Sequence, residues 1–238
     1  MMNKFISYLD NASFPSLEHG CAVSCCFDVC HYQDSLFQSF AVQFDASLIR
    51  AVAKRKAEFL AGRICAQQAL HLLGEPNSTV YIGEARSPVF PSAMIGSISH
   101  TQDSAICVVA PRSRYLALGI DQENWLSKST GLECQKHIIN PEEWALRDNQ
   151  SLDGSEFLTL CFSAKESFFK AYYPFVKRYF GFEEAIVSEV IIMGNMGRLT
   201  LVPKPSISSY LPDKSAFIIH FMFAGKGVIS YHQMQING

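Results

Sequence analysis

Three carboxylates and one amine are the side chains of this sequence best placed to do chemistry. "LALGIDQE" sets Asp121 and Glu123 two positions apart in a segment that reads as extended. In a strand, side chains at i and i+2 leave the same face, about 6.5–7 Å apart. Carboxylates that close repel each other unless a cation lies between them. An all-oxygen donor set favours a hard ion such as Mg²⁺, above all where phosphate oxygens complete the shell. A solvated acidic face on an edge strand or turn is the alternative. "FSAKESFFKAYYP" sets Glu166 and Lys170 four apart in a run crowded with aromatics. Ser163-Ala164-Lys165-Glu166 fits an S-x-x-E capping box, and Glu166 with Lys170 fits a surface pair one helical turn apart. Neither of those readings accounts for the apolar stripe of Phe168, Ala171, Tyr172 and Phe175 beside the pair.

A second group of candidates is basic. Arg50, Lys54, Arg55, Lys56 and Arg63 crowd "LIRAVAKRKAEFLAGRICAQQALHLL", where Glu58 is the one acid. Val52, Phe59, Ala66 and Leu73 recur there every seven residues, so the spacing predicts a helix over 48–73, stopped by Gly74 and Pro76. Arg55 and Arg63 then share a side about 12 Å apart, a span that suits an extended anion as well as a solvated basic face. "GSISHT" leaves His100 at the tip of a hairpin with Ser99 and Thr101 beside it, and Arg86 lies in the Pro-bounded "EARSPVFP".

The elements that must position these residues follow from pattern. "MIGSISH" and "AICVVA" flank the turn "TQDS" as a hairpin, and "YLALGIDQE" continues as a strand. "NPEEW" predicts a helix with Asn140 as N-cap and Pro141 first; a third helix is expected to begin near Ser163. "AIVSEVIIM", "RLTLVP", "SAFIIHFMF" and "VISYH" read as strands. Each half therefore runs through a helix and then several strands, an α+β arrangement.

With 238 residues, 48% hydrophobic and 18% charged, the chain can bury a substantial core. A net charge of −2 offers no general attraction to nucleic acid, so any basic site must be local. No apolar run approaches the ~18 residues of a membrane span. "MMNKFISYLDNAS" makes a poor signal peptide, and the expectation is a cytoplasmic protein. Four of the eight cysteines fall in "CAVSCCFDVCH", which lacks C-x-x-C spacing and reads as a buried strand with reduced thiols.

In order and spacing, "RKAEFLAGR", "SPVFP…GSISHT", "LGIDQE", "FSAKESFFKA" and "KRYFGFEEA" resemble the phosphopantetheinyl transferases. The resemblance covers roughly residues 50 to 190 and is to the larger, two-lobed surfactin and enterobactin synthetase component D type. It implies two pseudo-symmetric α+β lobes, 1–120 and 121–238, each a small, mostly antiparallel sheet with a packed helix, and an active site between them. It implies Mg²⁺ on Asp121, Glu123 and Glu166, and Lys170 near the transferring phosphate. It gives Arg55, Arg63, Arg86 and His100, with Ser99, to the nucleotide end of coenzyme A. It implies transfer of 4'-phosphopantetheine to a serine of an apo carrier protein, with Asp121, Glu166 and Lys170 catalytic and either Glu166 or a metal-bound water as base. An aryl or peptidyl carrier of siderophore synthesis is the expected partner, with "YYPFVKRYFGF" a candidate contact, and the enzyme is expected to be monomeric. A Mg²⁺-dependent phosphodiesterase or pyrophosphatase, or a non-catalytic coenzyme A- or carrier-binding module, would use many of the same residues.

Overall fold

The computed structural model describes residues 4–12, 17–213 and 215–236; residues 1–3 and Ser13 of "MMNKFISYLDNAS" lie outside them. The chain divides into two compact units: one runs to Leu118 and takes in the segment from Gln233, and the other is Gly119–His232.

The first unit is a four-stranded sheet with one long helix. Strands β1 (Ile6–Ala12) and β2 (Cys21–Phe27) precede the single-turn α1 (Leu36–Ser39) and the long α2 (Ala53–Leu72). The two-residue strands β3 (Tyr81–Ile82) and β4 (Pro88–Val89) pair with each other. The hairpin β5 (Met94–His100) and β6 (Ser104–Pro111) lies where "TQDS" predicts it. Sheet order is β1-β2-β6-β5, antiparallel throughout. This unit therefore opens with strands, and the helix follows them, unlike the helix-first order read from the pattern. β2 lies inside the sheet, which explains its cysteines: Cys25 is buried there, whereas Cys26 is exposed and Cys30 lies past its end.

α2 packs on β2 and β6. Its buried face includes Ala57, Leu60, Ala61, Ile64, Cys65, Ala66 and Leu70. The helix starts at Ala53, five residues later than the heptad pattern predicts. Asp45 caps a separate short turn at Ala46–Leu48, and Val52 is extended as the residue before the helix. Val52 is accordingly exposed rather than core, and Arg50 belongs to the approach to α2.

β7 (Tyr115–Asn124), most of which belongs to the second unit, leads into α3 (Lys128–Ile138), α4 (Pro141–Ala145) and α5 (Gly154–Val176). Strands β8 (Ala185–Met193) and β9 (Met196–Pro203), the short α6 (Pro205–Ser208), β10 (Phe217–Ala224) and β11 (Gly227–Gln235) complete it. The sheet order is β7-β11-β10-β9-β8, with antiparallel pairing from β11 to β8. α4 begins as predicted, with Asn140 and Glu143 forming a reciprocal capping box.

α5 begins well before Ser163. Its cap is Asp153, which accepts from Ser155 N and Glu156 N while Glu156 reaches back to the cap. Ser163 is a fully buried mid-helix residue whose hydroxyl meets that of Ser230 at 2.8 Å. The S-x-x-E reading of Glu166 falls with it, and the glutamate is released for other work. Phe168 and Tyr172 are fully buried and pack on Phe217 at 5.2 and 4.7 Å between centroids. Such aromatic packing fixes the helix in rotation as well as position. Among the described residues no helix is long and apolar enough to cross a membrane.

Candidate active site

Two glycines bring the acidic strand against its neighbours. A Cβ on Gly119 would collide with the Ser167 carbonyl oxygen and the Ala171 amide of α5, and a Cβ on Gly227 with the Glu123 carbonyl. Only glycine allows backbones this close. β7 thus presses on α5 two residues before Asp121, and β11 on β7 at Glu123.

The outcome is one electrostatic cluster. Lys170 Nζ donates to Asp121 Oδ1 at 2.6 Å, with Asp121 2% exposed. Burial, then the Asp121 charge, pushes the Glu123 carboxyl up to about 8, with Lys170 pulling it down and Glu166 adding to the rise. Burial likewise raises Glu166, against the pull of Lys170 and with the push of Asp121. Asp121, Glu123, Glu166 and Lys170 therefore lie within electrostatic range of one another. The α5 lysine reaches the strand aspartate, which is more than a surface pair within its own helix.

Among the described residues no three His, Cys, Asp or Glu side chains stand gathered as a metal-holding group. The chemistry of the donors nevertheless suits a hard divalent cation: three carboxylates, oxygen only, and two of them lifted by burial and mutual repulsion. Burial and repulsion hold Glu123 and Glu166 toward their neutral forms, and a cation among them would favour the ionised, liganding state.

The basic candidates gather in the first unit. Arg50, Arg55, Glu58, Arg63, Arg86 and His100 line a cavity of about 350 Å³. Arg63 is 7% exposed, with its guanidinium 4.5 Å over the Phe59 ring and one N–H donated to the Tyr81 carbonyl at 3.3 Å. Its Nε is buried with no hydrogen-bond partner among the described residues. Burial holds its pKa down to about 10, so the group stays cationic at neutral pH and fits an anion. Arg86 is exposed, in the left-handed region at φ 64°. Ser99 is buried and is not among the lining residues; its neighbours Ile98 and His100 are, as strand alternation dictates.

Two further residues matter that the sequence reading passed over. Glu58 is 9% exposed and lies within ion-pair distance of Lys54, Arg55 and His100. Its being the lone acid in a basic helix was the available signal. Lys165, directly before Glu166, is buried with Glu143 at 2.6 Å, each side chain 1% exposed. Its ammonium also donates to the Ile138 carbonyl at 2.8 Å and the Phe182 carbonyl at 3.1 Å. Glu143 accepts in turn from Asn140 N and Val187 N, both at 2.8 Å. No local pattern marks this pair, because the two side chains and their partners come from α3, α4, α5, β8 and the turn at Phe182.

Comparison with known proteins bears on both clusters. A model of the 4'-phosphopantetheinyl transferase N-terminal domain matches residues 44–110, the stretch holding the basic cavity's arginines and His100. A model of the 4'-phosphopantetheinyl transferase superfamily matches residues 117–199, the stretch holding Asp121, Glu123, Glu166 and Lys170. Enterobactin synthase component D of Escherichia coli (strain K12) is 44% identical over 126 residues, 53% of this chain and 59% of that protein. 4'-phosphopantetheinyl transferase Svp of Streptomyces mobaraensis is 33% identical over 162 residues, 68% of this chain and 66% of its own. 4'-phosphopantetheinyl transferase Npt of Nocardia iowensis is 32% identical over 141 residues, 59% and 62% respectively. The chain thus spans about three fifths to two thirds of the length of these curated relatives.

Proposed function

The chain belongs to the 4'-phosphopantetheinyl transferase superfamily, and on that premise we propose that it transfers 4'-phosphopantetheine from coenzyme A to a serine of an apo carrier protein. The observation that carries the reading is the coupled cluster of Asp121, Glu123, Glu166 and Lys170. The serine oxygen attacks the pantetheine-bearing phosphorus, and the bond from that phosphorus to the bridging oxygen breaks. Adenosine 3',5'-bisphosphate leaves with the bond's electron pair.

Each residue has a role that follows from its setting. Asp121, Glu123 and Glu166 would hold Mg²⁺, which when bound supplies neutralisation of the diphosphate's charge. Lys170 meets the charge that develops on the departing phosphate. Glu166, whose carboxyl burial raises, is suited to take the serine proton. Arg55, Arg63, Arg86 and His100 hold the nucleotide phosphate, a part of coenzyme A that does not react, and so position the donor. Glu143 and Lys165 hold α5 in place under Glu166.

The carrier we favour is an aryl or peptidyl carrier of siderophore synthesis, acting with a monomeric enzyme in the cytoplasm. Support for that pathway is the 44% identity to a protein named enterobactin synthase component D. In "YYPFVKRYFGF" Tyr179 is 75% exposed and open to a partner, while Phe180 is spent on the core at 5%.

The decisive assay incubates the protein with coenzyme A, Mg²⁺ and a panel of apo carriers and weighs each carrier by mass spectrometry. One phosphopantetheine is expected on a serine, with adenosine 3',5'-bisphosphate released in equal amount. Unmodified carriers with coenzyme A cleaved into water would make the protein a phosphodiesterase instead.

A further inference from the structure

A carboxylate is an unexpected lining for a cavity meant to take phosphate. Glu58 Oε2 lies 3.7 Å from Arg55 Nη1 and 3.9 Å from His100 Nδ1. Arg55 Nη1 lies 2.8 Å from His100 Nε2. Since a guanidinium has no acceptor, Arg55 donates in that contact and Nε2 carries no proton. The ring proton therefore sits on Nδ1, on the side toward Glu58.

The three side chains form a closed triangle across two elements. Arg55 and Glu58 are separated by less than one turn of α2, and His100 ends β5. Glu58 is the rigid corner, at 9% exposure, whereas the Arg55 and His100 side chains are 45% and 29% exposed. A long, exposed arginine loses rotamer freedom when it grips a ligand, and a fixed counter-charge beside it lowers that cost. Against this stands direct repulsion between Glu58 and a bound phosphate. Lys54, 3.9 Å from Glu58, together with Arg55, offsets that repulsion.

We infer that Glu58 is a positioning residue for the ribose-phosphate end of the donor: its fixed charge holds Arg55, and with it the Arg55–His100 contact, in place, and so sets selectivity for a 3'-phosphorylated nucleotide. The inference rests on the coenzyme A reading above and adds to it the residue that organises the phosphate's receptors without touching the phosphate.

Binding measured by calorimetry tests it, with adenosine 3',5'-bisphosphate and adenosine 5'-monophosphate as probes on the whole protein. Glu58→Ala should weaken the bisphosphate about tenfold and leave the monophosphate within about twofold. Glu58→Gln keeps the shape but not the charge and should recover only part of that loss. In a His100→Ala background Glu58→Ala should add little, which a purely structural role would not produce. Equal weakening of both nucleotides, or tighter bisphosphate binding by Glu58→Gln, overturns the inference, the latter by showing that repulsion dominates. Wild-type protein that ignores the bisphosphate overturns the coenzyme A reading itself, whereas unchanged selectivity in Glu58→Ala overturns only the role of Glu58.

Discussion

α5 carries two lysines five residues apart, each 2.6 Å from a carboxylate, and the two pairs do opposite things. Lys165 spends its ammonium on Glu143, the Ile138 carbonyl and the Phe182 carbonyl, three acceptors for three donors. Glu143 accepts two backbone amides besides. Charge and hydrogen bonds balance inside a closed network. Lys170 instead faces Asp121 with Glu123 and Glu166 close enough to shift one another. That second group has one cation for three acids and is open to solvent at Lys170, whose side chain is 26% exposed. Identical contact distances therefore say little about purpose. The balance of charge separates a structural joint from a site built to receive something.

The comparison breaks most sharply at Lys165. Lys165→Met leaves Glu143 ionised, buried and short of its partner, which should cost about 3–5 kcal/mol in urea unfolding. Lys165→Met combined with Glu143→Leu removes both charges and should recover much of that loss. If the single variant unfolds at the wild-type midpoint, the joint is not the structural element described here.

Asp121→Asn should behave in the reverse manner. It relieves crowding among three acids while keeping an acceptor oxygen for Lys170, so the unfolding free energy should stay within about 1 kcal/mol of wild type or rise. Transfer to carrier should nonetheless fall by at least about a hundredfold at saturating coenzyme A, as when a charge-stabilising group is lost from an active site. Full carrier modification by Asp121→Asn would remove the cluster from the reaction.

Local pattern carried the reading wherever structure depends on near neighbours. Asn140 and Pro141 start α4 as predicted, and "TQDS" turns its hairpin. Asp121 and Glu123 lie on a strand, and Arg55, Arg63 and His100 line one cavity. Failures came where an identical local pattern has two outcomes. S-x-x-E at 163–166 resembles a helix start, but D-x-x-E at 153–156 is the start, and Ser163 is explained only by Ser230 on β11. Val52 keeps the heptad spacing of α2 yet lies outside it, exposed. The Lys165–Glu143 joint was illegible for the same reason, since its partners meet only in the folded unit.

A third polar contact on α5 extends the contrast to a neutral pair. Tyr172 and His232 are buried with the hydroxyl 2.7 Å from Nε2, and Nδ1 lies 2.7 Å from the Ile218 carbonyl. A carbonyl only accepts, so Nδ1–H donates to it and Nε2 accepts a hydrogen bond from the Tyr172 hydroxyl. Burial, with a smaller push from His220, lowers the His232 pKa from 6.5 to about 4. Between those values the unfolded chain binds a proton that the folded protein refuses, so stability rises with pH across the window. Its contribution is complete above about pH 6.5 and is lost as pH falls toward 4, at up to about 1.4 kcal/mol per pH unit. Unfolding of wild type and His232→Asn should be followed by urea titration from pH 7 to 4. The variant, though weaker at pH 7, should lose less stability on acidification, by close to one proton's slope. Parallel pH profiles would mean that His232 is protonated within the fold and that α5 is held there by charge after all.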